Sequence, residues 1–242
     1  MTKKISSSFD HIAEAWDKKI GEGGNDGSKT TVKAVFELLG DAKNKRVYEI
    51  ACGNGFLARK LLEQGAKEVW ASDTSSRLIT IAKENYPSND IHYSVRDGAN
   101  FSGFPKSYFD AVIIHQGIFY IKDIASLVRG VARVLKPKGS LIFTLLHPLF
   151  ASARQAVDRD IHALEVQQEY LKVRKIIVTR SWGKNCVSFL TYKRPISYYI
   201  NACGRNGLLI ESMIEPKAVF ENDGSVKRTT IPASMIIKTV KI

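Results

Sequence analysis

The 242-residue chain predicts an α/β domain built on a mostly parallel sheet. From about residue 46 to residue 147, short apolar runs alternate with amphipathic ones, the rhythm of strands joined by crossover helices. A glycine turn, Gly53-Asn54-Gly55, follows the first of those runs and opens the first crossover helix. A hydrophobic content of 44% over this length is enough for one large core and calls for no second domain.

In chain order, Phe9, Ile12, Ala13 and Trp16 recur at helical spacing and predict an amphipathic helix over 9–19. The glycine-rich stretch 21–27 breaks it, and Ser28 then N-caps a second helix, whose apolar face is Val32, Val35, Phe36 and Leu39 and whose end is Gly40. Strands are expected at 46–50, 68–72, 91–95, 109–115 and 140–146, with helices at 56–64, 75–85 and 124–135 closed by Gly65, Pro87 and Pro137. The rhythm breaks over 148–194, where a helix near 160–171 and β-rich runs at 173–182 and 186–192 are expected. An insertion placed there lies over the C-terminal ends of the strands, where a substrate would sit. Pro195 opens a last helix to Asn206, and 208–214 and 234–242 read as closing strands. The units are therefore an N-terminal helical lid (1–45), a core (46–147), a substrate-side insertion (148–194) and a closing helix and strands (195–242), all in a single domain.

Composition narrows the function classes. No apolar stretch approaches the roughly 20 residues that span a bilayer, and residues 1–6 lack the apolar block of a signal peptide, so a cytoplasmic protein is expected. Cys52, Cys186 and Cys203 are odd in number and far apart, which indicates neither zinc nor a disulfide framework. The net charge of +12 is unevenly spread: residues 151–242 carry 15 Lys/Arg against 8 Asp/Glu. The basic residues are scattered, which fits a solvated face and leaves a nucleic-acid partner open.

The chemistry lies in the first turn. Gly53-Asn54-Gly55-Phe56-Leu57-Ala58 fits G-x-G-x-x-A, a turn that lets a ligand approach closer than a Cβ would allow, and Asp73 at the end of the second strand is placed to accept bonds from ribose hydroxyls. Glu49 separates two cofactor classes. A carboxylate just ahead of the turn repels a pyrophosphate but suits a ligand bearing an ammonium group.

Taken as an ordered set over about 9–147, these residues resemble the class I S-adenosylmethionine-dependent methyltransferases. Glu49-Ile50-Ala51-Cys52-Gly53-Asn54-Gly55 is similar to that family's acid-x-Gly-Cys-Gly-x-Gly signature, with Ala51 where a glycine is usual. Arg96-Asp97-Gly98-Ala99 is similar to its adenine-binding segment, and 109–116 and 134–141 resemble its later motifs. The resemblance implies a Rossmann-like sheet of seven strands, mostly parallel, with helices on both faces and an antiparallel last strand. It implies S-adenosylmethionine as cofactor, held by Glu49, Ala51, Gly53, Asn54, Gly55, Asp73 and Thr74, by Asp97, Gly98 and Ala99 at the adenine, and by His115, Gln116 and the lid residue Trp16. His147 and Tyr120 are the candidate catalytic residues, and Cys52 reads as a packing residue. The Pro-Pro turn of base-amine methyltransferases is missing after the fourth strand. The expected acceptor is accordingly a small metabolite, attacked through O, N or C. An RNA acceptor is the alternative, and an NAD-dependent oxidoreductase or an inactive binding module the more remote ones.

Overall fold

Five short apolar runs form the parallel part of one seven-stranded sheet. A computed structural model describes residues 9–21, 26–148, 170–182, 185–222 and 225–242. A 3-10 turn (Asp10–Ile12) leads into α1 (Ala13–Ile20), followed by α2 (Asp26–Leu39), β1 (Arg46–Ile50), α3 (Phe56–Glu63), β2 (Glu68–Asp73), α4 (Ser76–Asn85), β3 (Ile91–Val95) and β4 (Phe109–Ile114). A second 3-10 turn (Ile118–Tyr120) precedes α5 (Ile124–Val134) and β5 (Leu135–Leu146). The remainder is β6 (Arg174–Trp182), β7 (Asn185–Lys193), α6 (Ile196–Gly204), β8 (Leu208–Ile214), β9 (Lys217–Asn222), β10 (Ser225–Pro232) and β11 (Ser234–Lys241).

The sheet order is β3-β2-β1-β4-β5-β11-β8, with β11 antiparallel to both of its neighbours. Its centre is covered on both sides, which is why β4 reads as a continuous apolar run rather than an alternating one. Phe109, Val112 and Ile114 enter one core with α5 and α6, while Ala111 and Ile113 enter the other with α2 and α3. Asp110, between them, accepts from the Arg46 backbone N–H at 2.8 Å and pairs with Lys136 at 2.6 Å, so it anchors the bottom of the sheet. No helix among the described residues is long and apolar enough to cross a membrane.

Several boundaries differ from the sequence expectations. Ser28 lies inside α2, which starts at Asp26. The strand expected at 140–146 begins at Leu135, since the chain leaves α5 directly in extended conformation. The two β-rich runs of the insertion pair as a separate hairpin, β6–β7, whereas the helix expected near 160–171 falls, up to residue 169, outside the described residues. A second hairpin, β9–β10, stands between β8 and β11 and was not anticipated.

The turn after β1 is tightly packed. Ala51 has φ +59°, a left-handed conformation that costs an alanine about 1 kcal/mol, and its methyl lies where a Cβ on Gly117 would come within 2.5 Å of it. The glycine of the signature that this turn resembles is thus replaced by an alanine whose methyl occupies the space left by Gly117 in the turn after β4. Gly117 itself has an ordinary φ of −116°, so it is the methyl of Ala51 that forbids a side chain there. Gly117→Ala should destabilise the fold by about 1–3 kcal/mol, the cost of overpacking. Ala51→Gly in the same chain should recover most of that loss, as measured by a denaturant-unfolding double-mutant cycle.

Candidate functional site

A cavity of about 120 Å³ opens at the C-terminal ends of β1, β2 and β4, where crossovers leave in opposite directions. Its floor is Glu49, Ala51, Cys52, Gly53 and Asn54; Asp73 and Thr74 close one side, and His115, Gln116 and Gly117 the other. Its roof is aromatic, formed by Phe9, Trp16 and Tyr120.

Glu49 sits inside β1, 2% exposed, and its Oε2 has no hydrogen-bond partner. Burial, and then the neighbouring charge of Asp73, push its carboxyl up to about 8, against a smaller opposing pull from the Ala58 backbone and the Arg59 charge. Asp73 is buried as well. It accepts from the Gly53 N–H and the Ser75 N–H, both at 2.9 Å, and burial still holds it above the usual carboxylate range. Two carboxyls thus share a cleft whose burial disfavours charge on either. Cys52, next to both, is a buried thiol pushed well up by burial, which suits packing and not nucleophilic attack.

Gly53 and Gly55 adopt φ +56° and +73°. A Cβ on Gly55 would strike the Tyr93 hydroxyl, and one on Gly53 would lie 3.4 Å from the Trp16 indole nitrogen. The turn is therefore closed over by the N-terminal segment. Asn54 donates to Asp17 of α1 at 2.7 Å, Ser75 donates to Asp10 at 2.6 Å, and Arg77 pairs with Glu14 at 2.6 Å. Asp10 and Asp17 carried no sequence signal for these contacts, because each is one acid on an otherwise ordinary amphipathic segment.

His115 is half-buried at the cavity wall. Its Nε2 shares a 2.9 Å hydrogen bond with Thr31 Oγ1 of α2, which Gln116 also reaches at 3.3 Å, and burial brings the imidazole down to about 4. It is neutral near pH 7. Gln116 has φ +52°, so strained backbone flanks the cavity on both sides, at Ala51 and here.

The remaining expected residues lie around this centre. Tyr120 lines the cavity in edge-to-face contact with Phe9 at 5.2 Å, and Phe189 of β7 backs both. Asp97 is in an exposed turn, where it accepts from the Ala99 N–H at 2.8 Å; neither it, Gly98 nor Ala99 is part of the cavity lining. Gly98 is pressed between Ile50 and Ile121 with no room for a Cβ, so it lets the β3 loop pack against the strand that carries Glu49. His147, at the end of β5, bonds Glu215 at 2.7 Å and is outside the cavity lining. Phe9, Thr31 and Phe189 are site residues that the sequence did not single out.

Residues 48–143 match the profile of a methyltransferase domain family. The match begins at Tyr48, inside β1, and runs to Phe143 of β5, taking in the whole glycine turn and Asp73. The chain is 28% identical over 143 residues to a ubiquinone biosynthesis O-methyltransferase of Alkalilimnicola ehrlichii, covering 57% of this chain and 58% of that protein. It is 32% identical over 143 residues to a demethylmenaquinone methyltransferase of Thermotoga maritima, covering 58% and 60%. The chain thus spans about six-tenths of the length of these relatives. In fold it is similar to a candidate S-adenosylmethionine-dependent methyltransferase of Listeria monocytogenes, with a TM-score of 0.68 at 23% identity, over 89% of this chain and 99% of that one. The glycine turn and Asp73 lie inside the matched segment and the strand order frames it, so residues 48–143 are similar to a methyltransferase domain set in a sheet like that of S-adenosylmethionine-dependent methyltransferases.

Proposed function

We propose that this chain transfers the methyl group of S-adenosylmethionine to an O, N or C nucleophile of a small-molecule acceptor. The observation that carries this reading is the buried Glu49 carboxyl beside Asp73, with its Oε2 unpartnered. An ammonium group supplies a cation there and a ribose supplies hydroxyl donors, so the residues present fit the cofactor. When bound, S-adenosylmethionine supplies an electrophilic methyl group on a sulfonium. Glu49 would hold the amino-acid end, Asp73 the ribose, and the glycine turn the close backbone approach.

The names of the relatives, which concern quinone biosynthesis, favour a small acceptor over RNA. The aromatic roof supports the same choice, since Phe9, Trp16 and Tyr120 enclose the cavity instead of presenting an open platform. Residues 1–45 would act as the lid. At about 120 Å³ the cavity is small beside the roughly 300–1,000 Å³ of small-molecule sites, and on this reading the segment carrying Phe9 and Trp16 swings out to admit the cofactor. Orientation and exclusion of water account for most of the catalysis. Where the acceptor must lose a proton, His115 is the imidazole that lines the cavity: with its proton on Nε2 facing Thr31, Nδ1 keeps a lone pair. Tyr120 stands on the acceptor side, and His147, held by Glu215, would act only after leaving that partner.

Titration calorimetry should show binding of S-adenosylhomocysteine and none of NAD; no heat with S-adenosylhomocysteine would overturn the reading. Asp73→Ala should weaken that binding by about 1–3 kcal/mol, the scale for leaving buried hydroxyls without a charged acceptor.

Glu49 gives a pH signature. Its carboxyl is raised from 4.5 to about 8 in the folded chain, so its contribution to stability is fully present below about pH 4.5 and is lost as pH rises through 8. Without cofactor, Glu49→Gln should therefore melt higher than the parent at pH 8–9, with the gap closing toward pH 4.5. The same variant should bind S-adenosylhomocysteine more weakly and release fewer protons on binding at pH 7, as read by calorimetry in buffers of different ionisation enthalpy.

A further inference from the structure

The β6–β7 hairpin has two unlike faces. On one, Phe189 is 2% exposed and packs against Phe9 at 4.7 Å, with Val178 directly opposite it in register. That face backs the roof of the cavity. On the other side, and in the residues leading into it, Leu171, Val173 and Ile177 are 75%, 53% and 73% exposed, with Lys172 and Lys175 exposed between them. A groove of about 320 Å³ continues this surface between Leu171, Val173, Tyr198 and Arg205.

The charge here is one-sided. From Tyr170 to Ile210 the sequence has eight Lys/Arg and no Asp or Glu, in a chain that elsewhere mixes both signs. Large aliphatic side chains among lysines match the two needs of an anionic bilayer surface, apolar burial at the headgroup boundary and attraction to negative lipid. We propose that this outer face docks the protein on an anionic membrane surface, with the cavity roof held on the opposite face of the same hairpin. A second copy of the chain fits less well, because two such faces would bring like charges together. RNA fits less well because the most exposed side chains are aliphatic, while Tyr192 and Tyr198 lie against the Arg194 guanidinium at 4.7 and 5.5 Å. Docking of this kind does not depend on methyl transfer.

The test is co-sedimentation of the full chain with phosphatidylcholine vesicles made with and without phosphatidylglycerol. Binding is expected with phosphatidylglycerol, falling as salt rises, and little with phosphatidylcholine alone. Leu171→Ser with Ile177→Ser should lower the partition about 10- to 100-fold, and Lys172→Glu with Lys175→Glu should abolish the preference for anionic vesicles. All four side chains are exposed, so melting temperatures should match the parent, and that control holds whether or not S-adenosylhomocysteine binds. Equal binding to both vesicle types, or unchanged binding by the serine variant, would overturn the proposal. Retention on RNA lost only in the lysine variant would assign the face to nucleic acid, and a dimer lost in the serine variant would assign it to a second copy; either result also overturns it.

Discussion

Two carboxyls buried side by side set the terms for the rest of this protein. Glu49 and Asp73 lie at the ends of adjacent parallel strands, and the fold brings them together at the cavity floor. Desolvation and mutual repulsion oppose that arrangement. For Asp73 the backbone answers, through the N–H groups of Gly53 and Ser75. Glu49 is relieved only in part, and its Oε2 is left without a partner. The site is thus a poor place for negative charge and a good place for a cationic nucleoside, and the turn geometry, the covered sheet and the closed roof all keep it so.

The centre of the sheet was legible because its strands carry apolar residues on both faces, as β4 does with Phe109, Val112 and Ile114 on one side and Ala111 and Ile113 on the other. The glycine turn at the cavity floor was legible because residues at left-handed φ favour glycine, and Asp73 because an acid at a strand end stands out locally. What joins distant segments was not. Thr31 meets His115 across 84 positions, and nothing in its own neighbourhood announces that. The β9–β10 hairpin did leave a trace, since Asp223-Gly224 is a strong turn dipeptide.

Ala51 shows how a departure from a family signature can be absorbed. Its methyl forces a left-handed residue into strain and takes the space of a side chain on the next crossover, so positions 51 and 117 form one unit. Read alone, the alanine is a defect in the motif; read with Gly117, it is one half of a fitted pair.

The N-terminal segment is fastened to the turns that shape the cavity. Asp17 holds Asn54 of the glycine turn, and Asp10 holds Ser75, whose N–H bonds Asp73. Those fastenings hold the segment that carries Phe9 and Trp16 over the cavity. Under the proposed function, admitting and releasing the nucleoside would break and re-form this strap once in every cycle.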